Sequence, residues 1–329
     1  MQNVPQEYYC CEWINSGLHF QTTRLGFCCY GNQSIGDHPT VVEDYNGEPI
    51  DENIFGKIRA IKQKFADGDI PEGCKNCSYL RKSNWDGLKE DYFDHFMIGH
   101  SQKCNSRCIY CFTNDVPEDI KDRTYNAYAV LKKLFDENKI RVSPMACAVF
   151  LGGEPTLFPD FEDMTNLMLE NNFPNMKIHS SGIYLSSSVL KGLKTGQISI
   201  VISPDSGSRE VYEQIKRVDC FDKVWANIKS YIAAAKDEKQ VMVKYIVIPD
   251  VNDNKEEIDR WFDLIVESGV KYIACDVEQN WFYNCNGEYS DKMYDLIYYI
   301  NDRAKNLALN IEFYTAAERM LKKVGENDL

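Results

Sequence analysis

The chain has 329 residues, of which 44% are apolar and 26% charged, and 37 Lys and Arg against 50 Asp and Glu leave a net charge of −13. This is the composition of a globular protein with a sizeable core, and it is too acidic to partner nucleic acid, whose phosphates call for clustered Lys and Arg. No run of about 18 apolar residues would span a membrane, and the opening MQNVPQEYYCCEW lacks the basic-then-apolar layout of a signal peptide, so a cytoplasmic location is expected.

The unusual figure is 13 Cys, which in a reducing compartment points to metal ligation, catalysis or packing rather than to disulfides. Residues 1–90 read as a small domain of short strands and turns with one helix near Ile54–Phe65. S-G-L-H-F-Q-T-T-R-L-G-F-C-C has the pattern of a β-hairpin, with Thr22–Arg24 at the turn and Cys28 and Cys29 on the return strand. Further on, Cys74 and Cys77 form a C-x2-C knuckle, which presents two sulfurs to one centre. Adding one residue from each adjacent pair, Cys10 and Cys28 with Cys11 and Cys29 as alternates, makes a four-Cys set able to hold zinc or an iron–sulfur cluster.

From 91 to 285 apolar runs alternate with helix-period segments. The strand-like runs are Phe93–Gly99, Ala146–Leu151, Met176–His179, Ile198–Ile202, Val241–Ile248 and Tyr272–Val277. Helices are expected at Tyr125–Glu137, Phe161–Asn171, Ser187–Lys194, Phe221–Ala235 and Lys255–Ser268, with a last one at Tyr289–Leu309 in a C-terminal helical segment, 286–329. Such alternation predicts an α/β fold, a parallel sheet with helices outside.

The densest motif is C-N-S-R-C-I-Y-C, in which Cys104, Cys108 and Cys111 are spaced C-x3-C-x2-C. Three thiolates on so short a loop can wrap one metal centre. A structural zinc takes four ligands, so three suit a [4Fe–4S] cluster with one iron open, or a zinc completed from a distance. The second motif, A-V-F-L-G-G-E-P-T, is an apolar strand ending in Gly152, Gly153, Glu154 and Pro155, where glycines permit close backbone approach and the Glu offers a carboxylate to a cation. On the last strand, alternation places Asp276 and Glu278 on one face opposite Ile273, Cys275 and Val277. Two carboxylates sharing a pocket raise one pKa, which suits a general base, and a solvated strand end is the plainer alternative. Lys244 interrupts an apolar strand and is expected either to reach outward or to pair with an acid inside.

Taken together, the Cys triplet and the Gly-Gly-Glu-Pro turn closely resemble the radical S-adenosylmethionine (SAM) superfamily over roughly residues 93–280. The resemblance implies a partial (β/α)6 TIM-like barrel across 91–285, with Cys104, Cys108 and Cys111 on a [4Fe–4S] cluster whose fourth iron takes SAM. It further implies that Tyr110 lies against the adenine, that Gly152, Gly153 and Glu154 hold the SAM amino group, and that Ser181 and Ser203 contact SAM. Ser180-Ser181-Gly182 stands where relatives have Thr-Asn-Gly, and the relatives' arginine falls on Lys216 with Arg217 beside it, although Lys lacks the bidentate fork.

The N-terminal pattern resembles the twitch module, half of a SPASM domain, here preceding the barrel: Cys10 or Cys11 before Trp13, Leu18-His19, the Cys28-Cys29 pair, and Pro71 ahead of Cys74 and Cys77. It implies an auxiliary [4Fe–4S] cluster, two clusters in all. The activity implied is reductive cleavage of SAM to a 5′-deoxyadenosyl radical and hydrogen-atom abstraction, in an anaerobic setting, with an electron donor such as flavodoxin or ferredoxin. Relatives with this module imply oxidative modification of a ribosomal peptide or protein side chain. The alternatives are dehydrogenation or epimerisation of a sugar, aminoglycoside or nucleotide, and, outside enzymes, an iron–sulfur or zinc sensor.

Overall fold

The structure, a computed structural model, describes residues 8–28, 41–43, 51–75, 77, 79–83, 91–285 and 289–325. Cys29, one of the alternate ligands, lies outside them. The chain divides into two compact units, one from residues up to 103 together with 116–176, the other from 104–115 together with 177 onward.

The first unit runs β1 (Tyr8–Cys10), α1 (Glu12–Ser16), β2 (Gly17–Phe20), β3 (Arg24–Gly26), β4 (Val41–Glu43), α2 (Gly56–Ala66), β5 (Arg81–Ser83), β6 (His95–Ile98), α3 (Ala127–Asp136), β7 (Cys147–Phe150) and α4 (Phe161–Glu170). Its strands lie in the order β7-β6-β2-β3-β4, with β7, β6 and β2 parallel and β2, β3 and β4 antiparallel, while β1 pairs with β5. The expected hairpin is present, with Phe20 opposite Leu25 and His19 opposite Gly26. Its turn is tighter than expected, because the Gln21 N–H donates to the Arg24 carbonyl at 3.0 Å and Arg24 is already in the strand. Phe20, Phe55, Phe93, Phe96 and Phe173 fill the core behind these strands, with Phe55 stacked on Phe93 at 4.9 Å and Phe173 edge-on to Phe96 at 5.7 Å. Such aromatic pairs add roughly 0.5–1.5 kcal/mol each beyond their buried area.

The second unit runs β8 (Asn175–Ser180), α5 (Ser187–Thr195), β9 (Ile198–Ile202), α6 (Arg209–Lys216), α7 (Phe221–Ala234), β10 (Val241–Val247), α8 (Lys255–Ser268), β11 (Tyr272–Val277), α9 (Gln279–Asn284), α10 (Asp291–Asn306), β12 (Asn310–Phe313) and α11 (Thr315–Gly325). The strand order is β12-β11-β10-β9-β8, with β9 to β12 parallel. Local signals set these boundaries. In α8 the Asn254 side chain accepts the Glu257 N–H, Gly269 in the left-handed region stops the helix, and Ile258, Trp261, Phe262 and Ile265 make the buried stripe. Tyr245 of β10 packs on Trp261 at 5.0 Å, so Met242, Lys244 and Ile246 face the other way. The last helix is shorter than expected: α10 stops at Asn306, and Ala308 at a positive φ of 52° turns the chain into β12, an unforeseen strand parallel to β11. The architecture is therefore α/β, with parallel pairing along β9–β12 in the second unit and mixed pairing in the first, and no helix among the described residues is long and apolar enough to cross a membrane.

Candidate active site

In the first unit two loops meet just past the ends of β6 and β7. The Gly153 N–H donates to the Ser101 carbonyl at 3.1 Å and the Glu154 N–H to the Lys103 carbonyl at 2.8 Å. Gly152 has a φ of +106°, and a Cβ on Gly153 would stand 2.1 Å from the Lys103 oxygen. Only glycine permits this backbone approach. Glu154 is 1% exposed, and its carboxylate accepts the Thr156 hydroxyl at 2.6 Å and the Thr156 N–H at 3.2 Å, which holds the turn that follows. Gln102 Oε1, beside Gly152, is buried without a hydrogen-bond partner among the described residues.

In the second unit the Cys loop is clamped to the end of α6. The Arg107 N–H donates to the Lys216 carbonyl and the Ile109 N–H to the Ile215 carbonyl, both at 3.0 Å. Cys104 is exposed, while Cys108 and Cys111 are half-buried. The Ser106 N–H points at Cys104 Sγ at 3.4 Å, and Thr113 Oγ1 lies 3.0 Å from Cys111 Sγ. Asn105 accepts the Ser181 hydroxyl at 3.1 Å but leaves its own Nδ2, like Ser106 Oγ, buried and unsatisfied. Burial pushes the Cys108 thiol up, an effect that the Lys216 ammonium opposes.

Behind this loop lies a buried triad that the sequence did not reveal. The Tyr110 hydroxyl donates to Asp205 Oδ2 at 2.5 Å, and the Lys216 ammonium pairs with the same carboxylate and with the Tyr110 oxygen at 2.8 Å. The Ile246 N–H holds the other carboxylate oxygen at 2.9 Å. Lys216 is 3% exposed and Asp205 fully buried, so the ammonium is spent inside the protein, while Arg217 is the left-handed residue that caps α6. Burial drives the Tyr110 phenol well above its ordinary range, with Asp205 adding to it; for Lys216, burial lowers the amine but the carboxylate outweighs it and the net direction is up. Lys216→Met strips the partner from a buried charge, so it should cost about 3–5 kcal/mol in denaturant unfolding, part of which Lys216→Met with Asp205→Leu should restore. A loss below about 1 kcal/mol would mean that water, not Lys216, balances Asp205.

The two carboxylates expected to share a pocket do different things. Glu278 gives one oxygen to the Asn280 N–H at 2.9 Å and the other to the Trp281 N–H at 2.7 Å, capping α9. Asp276, 6% exposed, accepts the N–H groups of Val277 and, in the first turn of α11, Ala316. Burial pushes its carboxyl up, with Val277, Lys244, Ala316 and Ala317 pulling the other way. Lys244 has no ion pair among the described residues; its ammonium lies 5.6 Å from the centroid of the Tyr314 ring. Ser203 is half-buried one residue past β9.

In the first unit Cys10, Cys11, Cys28 and Cys74 are buried and Cys77 is half-buried. Burial and the neighbouring thiols of Cys28, Cys11 and Cys77 push Cys74 up to about 11, and burial with Cys28 and Cys77 raises Cys11. Cys10 lies on β1 opposite Arg81. Among the described residues no three His, Cys, Asp or Glu donors stand at metal-holding separation. On donor chemistry, on the orphaned polar atoms of the Cys loop and on the glycine cradle, the residues present fit an iron–sulfur cluster and an amine-bearing cofactor.

Comparison with known proteins agrees. Residues 98–262, half of the chain, match the family model described as the radical SAM superfamily. The chain is similar to a molybdenum cofactor biosynthesis protein, moc-5, of Caenorhabditis elegans, 31% identical over 180 residues, covering 50% of this chain and 28% of that protein. It is similar also to a probable GTP 3′,8-cyclase of Saccharolobus islandicus, 27% identical over 173 residues and covering 52% of each. The match thus spans about half, or less, of these relatives' own length. Among solved structures it resembles Streptococcus suis SuiB bound to its precursor peptide SuiA, with a TM-score of 0.51 at 15% identity over 80% of this chain and 63% of that one. It resembles native anSMEcpe with bound AdoMet as well, at 0.50 and 17% over 67% and 63%. These last two are likenesses of fold.

Proposed function

The chain belongs to the radical SAM superfamily and is an enzyme of oxidoreductase type, and from that premise we propose that it oxidatively modifies a peptide or protein side chain with the help of an auxiliary iron–sulfur cluster. When bound, SAM and its [4Fe–4S] cluster supply hydrogen-atom abstraction from an unactivated carbon. The observation that carries the reading is the clamped C-x3-C-x2-C loop in a chain whose strand ends also form the Gly152–Pro155 cradle.

Within this reading Cys104, Cys108 and Cys111 supply three thiolates to the SAM cluster. The cradle at Gly152, Gly153 and Glu154 offers backbone and carboxylate to the SAM amino group. Tyr110 presents its ring to the adenine with its hydroxyl tethered by Asp205 and Lys216. Ser181 and Ser203 contribute hydroxyls, and Arg217 is the cation left for SAM once Lys216 is engaged. Asp276 takes up the substrate proton, since Glu278 is occupied in capping α9. In the N-terminal region Cys11, with Cys10 as alternate, Cys28, Cys74 and Cys77 would hold the auxiliary cluster, which would supply an acceptor for the substrate electron. Anaerobic reconstitution followed by dithionite and SAM should yield 5′-deoxyadenosine; its absence would overturn the assignment.

Cys74→Ala with Cys77→Ala should leave SAM cleavage in place while removing about four iron per chain and all turnover of substrate. Zinc at this site, with iron near four in the wild type, would overturn the auxiliary cluster and the oxidative outcome with it.

A second reading, a nucleotide substrate, is favoured by the similarity to a probable GTP 3′,8-cyclase. Incubation with GTP separates the two: a GTP-derived product by mass spectrometry overturns the peptide reading, and GTP recovered intact during SAM cleavage overturns the nucleotide reading.

A further inference from the structure

We propose that Cys147 is a nucleophilic thiol activated by His95, and that it takes up small-molecule disulfides as a mixed disulfide. The site stands at the ends of β6 and β7 opposite the Gly152–Pro155 cradle, and none of the SAM chemistry uses it.

Register brings the two side chains together. His95, the first residue of β6, is paired with Cys147, the first of the parallel strand β7. The Cys147 N–H donates to the Asp94 carbonyl at 2.8 Å, which locks that pairing. Paired residues of neighbouring strands stand about 4.8 Å apart and project to the same face. There a side-chain hydrogen bond joins the Cys147 thiol to the His95 ring. The next residues along, Phe96 and Ala148, are fully buried, whereas His95 and Cys147 are each half-buried, so a small reagent can reach them. On the far side of His95, β2 offers Gly17, across which Trp13 lies, edge-on to the imidazole at 6.4 Å. The ring is thus walled on one side and turned to the sulfur on the other.

A buried acid stands behind the ring. Asp94, 1% exposed, meets His95 Nδ1 at 2.5 Å with one oxygen and accepts Arg141 Nε at 3.1 Å with the other. Burial raises the Asp94 carboxyl, but hydrogen bonds from His95, Ser16 and Arg141 outweigh it and hold it at about 2. The hydrogen bonds of His95 to Asp94 and to Cys147 outweigh burial and raise its imidazole to about 10, so the ring is an imidazolium throughout the neutral range. The charged groups that meet here within the first unit are Asp94, His95 and Arg141, whose guanidinium also lies 3.8 Å from the centroid of the Tyr92 ring. An imidazolium has two N–H donors: Asp94 takes one, and the other serves the sulfur. Thiol, imidazolium and carboxylate in a row are the arrangement in which a cysteine attacks as its thiolate.

In the exchange the Cys147 thiolate attacks one sulfur of the disulfide. A new S–S bond forms as the old one breaks, and the departing thiolate takes the proton of His95. The Cys147 sulfur is oxidised and the departing sulfur reduced, with no further oxidant.

The test exposes the oxidised, reconstituted, full-length protein to 2-hydroxyethyl disulfide, a neutral probe, at pH 6, 7 and 8. After an acid quench, the adduct is followed by mass spectrometry on the tryptic fragment 142–177, in which Cys147 is the sole cysteine. An ordinary thiol is roughly 0.3% thiolate at pH 6; full ionisation gains about 300-fold, of which the weaker nucleophilicity of an acidic thiolate takes back about 10- to 30-fold. The wild-type rate should therefore change by less than about threefold from pH 6 to 8, and His95→Gln should be about tenfold slower at pH 6 and climb about tenfold per pH unit. The wild-type profile decides the matter alone if His95→Gln does not fold. No adduct on Cys147, a wild-type rate that climbs about tenfold per pH unit, or a His95→Gln rate equal to the wild type's at pH 6 overturns the proposal.

Discussion

Replacing Cys104, Cys108 and Cys111 together with alanine should abolish formation of 5′-deoxyadenosine and lower the iron content of the reconstituted chain from about eight to about four. The loop is held by backbone hydrogen bonds from Arg107 and Ile109 to the end of α6, which none of the three sulfurs makes. Loss of the thiolates should therefore leave the fold, the Tyr110–Asp205–Lys216 triad and the N-terminal site in place. A native circular dichroism spectrum with the remaining four iron would confirm that the deficit is local. A triple variant that still cleaves SAM would sink the ligand assignment.

Gly153→Ala, which removes no functional group, should be nearly as damaging. Its methyl would stand 2.1 Å from the Lys103 oxygen and 2.5 Å from the Gln102 carbonyl carbon, both backbone atoms with no rotamer to yield. The loop before Cys104 must shift and the hydrogen bond from the Glu154 N–H to Lys103 must stretch. Overpacking of this kind costs about 1–3 kcal/mol, and the damage falls on the cradle assigned to the SAM amine. The expected result is a melting temperature lowered by several degrees and at least a tenfold loss of SAM cleavage, with cluster assembly largely retained. A variant that melts and cleaves SAM like the wild type would show that the 99–103 and 152–155 loops do not have to be in contact.

Much of this was legible in the sequence because local chemistry sets it. The boundaries of β9, β11 and α8 were readable to the residue, since apolar runs, the Asn254 cap and Gly269 are all local signals. The Cys and Gly-Gly-Glu-Pro motifs could be read for the same reason: their function requires particular residue types at short spacing. What could not be read depends on contacts between distant segments. Asp205 stood in view within Ser-Pro-Asp, but nothing in its neighbourhood announced that Lys216 would turn inward to meet it. Glu278 looked like a second base because alternation assigns a face, whereas its use as the cap of α9 depends on a helix begun one residue later. The pairing of β1 with β5, which places Cys10 in a ladder opposite Arg81, was likewise out of reach of local pattern.

The parallel pairing of β2 with β6 bears on any attempt to take the enzyme apart. Residues 17–20 satisfy the backbone of His95–Ile98 along its whole length, and β6 has only β7 on its other side. A chain begun at residue 91 would leave that edge open, a row of unpaired N–H and C=O groups flanked by Phe96 and Ile98, the template on which foreign strands add and chains aggregate. The cysteine-rich N-terminal region is therefore also a sheet-edge protector. It cannot be deleted as a detachable accessory, and loss of its cysteines has to be studied by point substitution in the intact chain.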